Sequence, residues 1–216
     1  MRSQLTFLSL WAGPSLAATL GRAATGLDVG TQLAYNNNIV KIVWKGFEGV
    51  DPGKEFTGSF EEVKLQLMGI MGDSFTLTPT TEEDRLTKYD GSPPSNNVER
   101  DCDVGGYDRV GQNYIKNGIE YLSSLPDSVL CSNQPAPSPG QGSCGRISCS
   151  YNSAIWWCND SPQTVEFACN LFAKYAQDIV DNCAYLPNNL NSPPEVRGTE
   201  IDAPFNISTV VGGDNC

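Results

Sequence analysis

The chain has 216 residues and a formal net charge of −11, and it contains no histidine. The acidic balance argues against nucleic acid and anionic membrane surfaces as partners, because both repel a negatively charged protein. The absence of histidine removes the commonest general base and the commonest metal ligand, together with serine–histidine and cysteine–histidine nucleophile pairs. No other catalytic constellation occurs in the sequence, so we expect a protein that is not an enzyme.

The N-terminal segment is typical of a secretory signal peptide, which we assign to residues 1–20. Arg2 precedes an apolar run at Leu5–Leu10, and small residues around Ala17 favour cleavage between positions 17 and 26. Gly13 and Pro14 interrupt the run, and no later stretch approaches about 20 apolar residues. We therefore expect a secreted, extracellular protein with no membrane anchor.

Residues 26–100 contain no cysteine and are predicted to form an N-terminal extension and linker. Ile39–Trp44 reads as a strand, and Ser74–Thr78 as an edge strand. Ser59 and Glu62 form a capping-box pattern for a helix over Phe60–Met71, although polar–apolar alternation within that segment also fits a strand. The extension is either partly ordered by itself or donates strands to the main domain.

Residues 101–186 are predicted to form a cysteine-rich α/β core. A first amphipathic helix is expected from a cap at Asp108 to about Leu125, where Pro126 ends it. Cys144–Asp160 then reads as two strands around a turn at Asn152–Ser153.

A second helix is predicted from a cap at Asp160 or Ser161, with Pro162 in its first turn, to Cys183. Residues 187–216 read as a Pro-rich tail with a short strand at Ile207–Val211. The tail ends in Cys216, which we expect to tether it.

The cysteine count predicts a disulfide framework, as is usual for secreted domains. Cys169 and Cys183 cannot pair if both lie on one helix, because 14 residues of helix place them about 21 Å apart. The lack of Cys-x-x-Cys pairs and of histidine argues against zinc, so no metal or cofactor is predicted. The eight expected disulfide cysteines are Cys102, Cys131, Cys144, Cys149, Cys158, Cys169, Cys183 and Cys216.

Two further patterns concern the surface. Asn159 and Asn206 begin Asn-x-Ser sequons and are candidate glycosylation sites. Trp156, Trp157 and Tyr151 form a candidate binding surface. Adjacent side chains of a strand face opposite ways, so one tryptophan should lie in the core and the other should be more exposed or covered by the N-terminal extension.

Two amphipathic helices flanking a strand pair each need a surface that covers their apolar stripe. The sequence therefore predicts an α+β protein: a disulfide-stapled α/β sandwich with two helices on one face of a small antiparallel sheet, preceded by the N-terminal extension.

Residues 101–185 resemble a group of small secreted cysteine-rich proteins of filamentous fungi. The likeness rests on Asp101-Cys102, on the Ile115–Leu122 helix segment, on the Cys144–Asp160 stretch and on the helix to Cys183. These proteins are effector candidates that share an α/β sandwich with fungal killer toxins. The resemblance implies that fold and supplies no catalytic residues.

These observations favour a secreted, non-enzymatic protein that binds a surface protein or glycan of a host or competitor, as an effector or cell-death elicitor. We expect it to act as a monomer. One alternative is a cell-wall or carbohydrate-binding protein that uses Trp156 or Trp157. The other is a hydrolase of wall material that uses paired carboxylates.

Overall fold

A computed structural model describes residues 38–72, 98–187 and 192–216. Within these ranges no helix is long and apolar enough to cross a membrane. The predicted signal peptide and the predicted edge strand at 74–78 lie outside the described residues.

Three α-helices and thirteen strands occur in the described ranges. The helices are α1 (Phe60–Met71), α2 (Gln112–Ser123) and α3 (Leu171–Cys183), and a 3₁₀ turn covers Ala203–Phe205. The strands are β1 (Ile39–Val40), β2 (Val43–Lys45), β3 (Phe56–Thr57), β4 (Val98–Asp101), β5 (Val110–Gly111), β6 (Leu130–Asn133), β7 (Ser143–Ser150), β8 (Ser153–Asn159), β9 (Val165–Ala168), β10 (Ala184–Tyr185), β11 (Glu195–Val196), β12 (Gly198–Asp202) and β13 (Ile207–Gly213).

The described strands form three sheets. The largest has the order β1-β7-β8-β13-β12-β4, in which β1 runs parallel to β7 and every other pair is antiparallel. A second sheet has the order β3-β2-β6-β9, and a third small sheet has the order β10-β11-β5. Strands β8, β13 and β12 are interior strands with a paired neighbour on each side, whereas β1 covers only Cys144 and Gly145 of the outer edge of β7.

Both faces of the largest sheet are buried. One face joins the main core with the three helices, and Trp157 lies in it fully buried against Phe172, with ring centroids 4.3 Å apart. The opposite face carries a smaller cluster that contains Trp156, Val104 and Tyr107. The two adjacent tryptophans therefore face opposite ways, as the strand geometry predicts, but neither is left exposed.

The first described segment belongs to the main fold. Strand β1 pairs with β7 and β2 pairs with β6, so the alternative in which this segment donates strands is confirmed for residues 38–72. The α1 capping box is also confirmed, since the Ser59 hydroxyl accepts from the Glu62 N–H and the Glu62 carboxylate accepts from the Ser59 N–H. Trp44 anchors the segment: it is fully buried and donates to the Gly58 carbonyl.

The prediction for the second helix of the core is wrong at its N-terminal end. Helix α3 begins at Leu171, and residues 165–168 instead form β9, which pairs with β6. Val165 and Phe167 are β-branched and aromatic, and pairing with a neighbouring strand outweighs the helical periodicity that continues into α3. The first predicted helix likewise begins later, at Gln112 rather than after Asp108.

The predicted tail supplies interior strands of the largest sheet. Strand β13 pairs along its seven residues with β8 on one side and pairs with β12 on the other, so the short strand predicted at 207–211 exists and is longer. A boundary at residue 186 therefore does not separate structural units. The coarser expectation of a disulfide-rich α+β protein is confirmed, whereas three helices and a mixed sheet replace the two-helix sandwich.

All eight cysteines form disulfides, and the described residues leave no cysteine free. The predicted absence of a Cys169–Cys183 pair is confirmed, although Cys169 lies just before α3 and not on it. Each bridge joins elements that are distant in sequence or adjacent in the sheet. The pairs are Cys102–Cys183, Cys131–Cys169, Cys144–Cys158 and Cys149–Cys216.

We predict that the Cys149–Cys216 bridge stabilises the whole fold rather than a peripheral tail. It closes a sequence separation of 67 residues, for which the chain-entropy relation gives about 4 kcal/mol. A Cys149→Ser/Cys216→Ser double variant should lose most of this free energy of unfolding in urea denaturation. A loss below about 1 kcal/mol would show that the bridge constrains only local structure.

Candidate functional site

A buried acidic cluster lies between β12 and α3. Glu200 and Asp202 alternate along β12, so both point to the same face, and they are 0% and 1% exposed. Arg100 on β4 donates from Nε and Nη2 to Glu200 Oε1, at 3.2 and 3.0 Å, and also pairs with Asp178 of α3. The Tyr175 hydroxyl donates to Asp202 Oδ2 at 2.7 Å.

Arg100 thus pairs with two carboxylates, Glu200 and Asp178, while Asp202 is held by Tyr175. Burial raises the pKa of Glu200 to about 7, and Arg100 offsets only part of that effect. Burial, helped by the hydrogen bond to Asp202, also raises the pKa of the Tyr175 hydroxyl. Glu200 Oε2 and Asp202 Oδ1 have no hydrogen-bond partner among the described residues, so two buried carboxylate oxygens are left unsatisfied.

A pair of carboxylates is the usual catalytic group of a glycoside hydrolase. A catalytic pair must nevertheless touch its substrate, and these two side chains are enclosed between the sheet and α3. The cluster is therefore placed to hold the edge strand β4 and helix α3 against β12.

We predict that this cluster makes stability depend on pH. The folded protein keeps the Glu200 proton up to pH about 7, whereas the unfolded chain releases it near 4.5. Unfolding therefore releases a proton between pH about 4.5 and pH about 7, so the free energy of unfolding falls by up to about 3 kcal/mol as pH rises through this window. Above pH about 7 the contribution of Glu200 no longer changes.

Urea denaturation across this pH range measures the effect. Glu200→Gln should flatten the slope, whereas Glu99→Gln, an exposed glutamate on the neighbouring strand, should keep it. Burial also raises the pKa of Asp160 to about 6, so Asp160 adds the same pH dependence to the wild type and to both variants. The informative quantity is therefore the difference in slope between a variant and the wild type. Equal slopes for Glu200→Gln and the wild type would contradict the assignment.

An open cleft of about 370 Å³ lies beside β7, between β1 and the N-terminal half of α1. The Cys149–Cys216 disulfide lines it, and Lys41 and Arg146 contribute the positive charges of its lining. Ile39 and Leu65 are 53% and 69% exposed at its rim. The cleft thus combines apolar, cationic and acidic groups on a surface that the folded core does not use.

Hydrogen bonds hold the walls of this cleft in place. The Glu61 carboxylate, in the first turn of α1, accepts from the Ser148 hydroxyl at 2.7 Å and from the Cys149 N–H at 2.9 Å. Arg146 donates to the Asn215 carbonyl and lies over the Trp156 ring, 5.5 Å from its centroid. Helix α1, strand β7 and the C-terminal residues are therefore fixed relative to one another without any ligand.

The turn between β7 and β8 adjoins the cleft, because Cys149 lies two residues before it. Tyr151 and Asn152 form a two-residue turn with φ of 51° and 57°, which is the type I′ hairpin geometry. Tyr151 is 74% exposed and stacks on Tyr114 of α2, with ring centroids 4.9 Å apart. Gly118 lets α2 approach β7, since a Cβ there would lie 2.6 Å from Ser148 Oγ.

The predicted binding surface of Tyr151, Trp156 and Trp157 is thus reduced to Tyr151. Trp156 and Trp157 are 3% and 0% exposed. Strand β8 is an interior strand covered on both faces, so the alternation that separates the two rings sends each into a different buried cluster. The expectation of a more exposed tryptophan is wrong. Among the described residues, the second ring, Trp156, is covered by a cluster that contains Val104 and Tyr107 and not by the N-terminal extension.

The two sequons differ in accessibility. Asn159 is fully buried, and its Nδ2 donates to the Gln134 and Gln163 carbonyls at 2.7 Å each, so an attached glycan would displace these bonds. Asn206 is exposed in a left-handed turn between the 3₁₀ turn and β13. The folded protein therefore offers Asn206 and not Asn159 to glycosylation.

We predict that protein secreted from a eukaryotic host carries a single N-glycan, at Asn206. Peptide mass spectrometry after enzymatic deglycosylation should find the diagnostic Asn-to-Asp conversion there. Asn206→Gln should remove the glycan mass, while Asn159→Gln should leave it and should reduce stability, because it disturbs a buried hydrogen-bond network. A glycan at Asn159 on folded protein would contradict the structure.

Sequence reasoning missed Arg100, Glu200 and Tyr114. The alternation of acidic residues within 198–202 could have indicated an acidic face on a strand, but nothing in the sequence indicates that this face is buried. Nothing in the sequence connects Tyr114 with Tyr151, because their contact joins residues 37 positions apart. Within the described ranges no group of acidic, cysteine or histidine side chains could hold a metal ion.

Comparisons with protein-family models, curated proteins and solved structures found no match to this chain. Its function must therefore be argued from its own surface.

Proposed function

We propose that this chain is a secreted, non-enzymatic fungal protein that acts by binding a surface component of a host or competitor, as an effector or cell-death elicitor. The complete pairing of its cysteines supports an oxidising, extracellular location. The resemblance of residues 101–185 to secreted proteins of filamentous fungi supports the biological setting. Its net charge of −11 disfavours nucleic acid as the target.

The observation that carries this proposal is the surface along β7. A preformed cleft there has the exposed Leu65 and Ile39 side chains at its rim, and the exposed Tyr151 ring follows two residues after Cys149 of the cleft wall. Exposed aliphatic and aromatic side chains beside a rigid cleft are typical of binding surfaces, because their burial on contact is favourable and costs little reorganisation.

The hydrolase alternative is less well supported by the site. The buried Glu200–Asp202 pair lies away from the cleft, and the acids that line the cleft, Glu61 and Glu62, are engaged in structural hydrogen bonds. The carbohydrate-binding alternative no longer rests on the buried tryptophans. It has a different support in the stacked tyrosines at the turn.

We predict that the cleft is needed for the biological response. Leu65→Glu places a charge at the cleft rim, whereas Ile70→Glu places the same charge at a residue of α1 that is 54% exposed and does not line the cleft. Infiltration of equal amounts of purified protein into plant leaves should give cell death with the wild type and with Ile70→Glu. Leu65→Glu should give a strongly reduced response.

Both variants should show the circular dichroism spectrum and the urea midpoint of the wild type, because both side chains lie on the surface. Equal responses from Leu65→Glu and Ile70→Glu would place the contact surface elsewhere. Release of reducing sugar from wall polysaccharide, abolished by Glu200→Gln or Asp202→Asn, would establish the hydrolase instead.

A further inference from the structure

The β7–β8 turn places a tyrosine in a backbone conformation that is unfavourable for this residue type. Type I′ turns need positive φ at both central residues, and glycine, asparagine and aspartate populate that region most readily. Asn152 fits this rule, but Tyr151, at φ 51°, is a bulky residue in the left-handed region, where such residues are outliers. Folding of the hairpin alone would favour glycine or asparagine at position 151.

The buried core does not compensate for this strain. Tyr151 is 74% exposed, and its ring contacts Tyr114, which is itself only partly buried. Tyr151 is thus an unfavourable residue for this turn and adds little buried surface. This combination indicates a role other than folding.

The stack on Tyr114 does, however, fix the orientation of the Tyr151 ring. The two planes lie within 25° of parallel, with centroids 4.9 Å apart, so one face of the Tyr151 ring is backed by Tyr114 and the other is presented to solvent. A tyrosine held in this way offers a flat, rigid contact at low entropic cost.

Two exposed amide side chains lie near this ring. Asn152 is exposed beside Tyr151 in the turn, and Asn117 is exposed on α2, three residues after Tyr114 and therefore next to it on the helix surface. Each amide supplies two donors and an acceptor. A flat aromatic face flanked by amides matches a pyranose ring, which has an apolar C–H face and a rim of hydroxyl groups.

We propose that Tyr151, backed by Tyr114, binds a glycan by stacking on the face of one sugar ring, while Asn152 and Asn117 hydrogen-bond to its hydroxyls. The proposal deepens and rests on the surface-binding function. Nucleobases also stack on aromatic rings, but the net charge of −11 repels a phosphate backbone. The amides beside the ring favour a sugar over an apolar protein contact, because they can hydrogen-bond to the sugar hydroxyls.

Titration of the purified protein with soluble chito-oligosaccharide and, separately, β-1,3-gluco-oligosaccharide tests the proposal and distinguishes the two glycan sources. Backbone amide chemical shifts report the site and isothermal calorimetry reports the affinity. At least one sugar should bind, and Tyr151→Ala should weaken that binding by about tenfold or more. Tyr151→Phe, which keeps the ring, should remain within about threefold of the wild type.

Two further variants separate binding from folding. Tyr151→Gly removes the ring and also relieves the left-handed strain, so it should lose affinity while its melting temperature stays equal to or above that of the wild type. Tyr185→Ala is the matched control, because Tyr185 is 42% exposed and lies under Arg109 on another sheet. It should bind the sugar as the wild type does.

The proposal is overturned if neither sugar binds below about 10 mM, or if Tyr151→Ala and Tyr151→Gly bind as well as the wild type. Failure of the glycan proposal is separable from failure of the proposed function. A protein that binds neither sugar but still gives a leaf response dependent on Leu65 refutes the glycan site alone. A protein that binds sugar through Tyr151 without any leaf response refutes the effector role alone.

Discussion

The pairing of β13 with β8 and β12 is the constraint on which most other features of this fold depend. Seven residues of β13 pair with β8, and the other edge of β13 pairs with β12, which in turn holds β4. This arrangement makes β8 an interior strand, so its two tryptophans are enclosed on opposite faces. It also brings Cys216 beside the hairpin, where its bridge to Cys149 closes the end of the sheet.

Acidic side chains have different surroundings at the two edges of this sheet. At the β12–β4 edge, Glu200 and Asp202 are buried, and Glu200 pairs with Arg100. Both have a structural role there, and burial raises the pKa of Glu200. At the β7 edge, Glu61 satisfies the Cys149 N–H and helps to shape an open cleft. Glu61, Glu200 and Asp202 thus have structural roles, whereas the open cleft beside β7 combines apolar, cationic and acidic groups.

Several elements could be predicted from sequence because their signals are local. The α1 capping box and the core-facing stripe of α3 each depend on residues a few positions apart. The turn of the central hairpin was also predicted, but at Asn152–Ser153, one residue after its observed position at Tyr151–Asn152. The errors arose where distant pairing decided the outcome. Residues 165–168 continue the helical periodicity, but they lie beside β6, and hydrogen bonding to that strand makes them β9. Tyr114 and Tyr151 could not be connected for the same reason.

The sequence by itself determined that the cysteines would form a disulfide framework and that the protein would mix helices with strands. These conclusions follow from composition and from short-range hydrophobic periodicity. Only the tertiary structure decided which cysteines pair, which acidic residues are buried and which aromatic ring reaches solvent. Those outcomes depend on strand order, and the order places residues 207–213 between β8 and β12, where contacts remote in sequence cover both faces of the sheet.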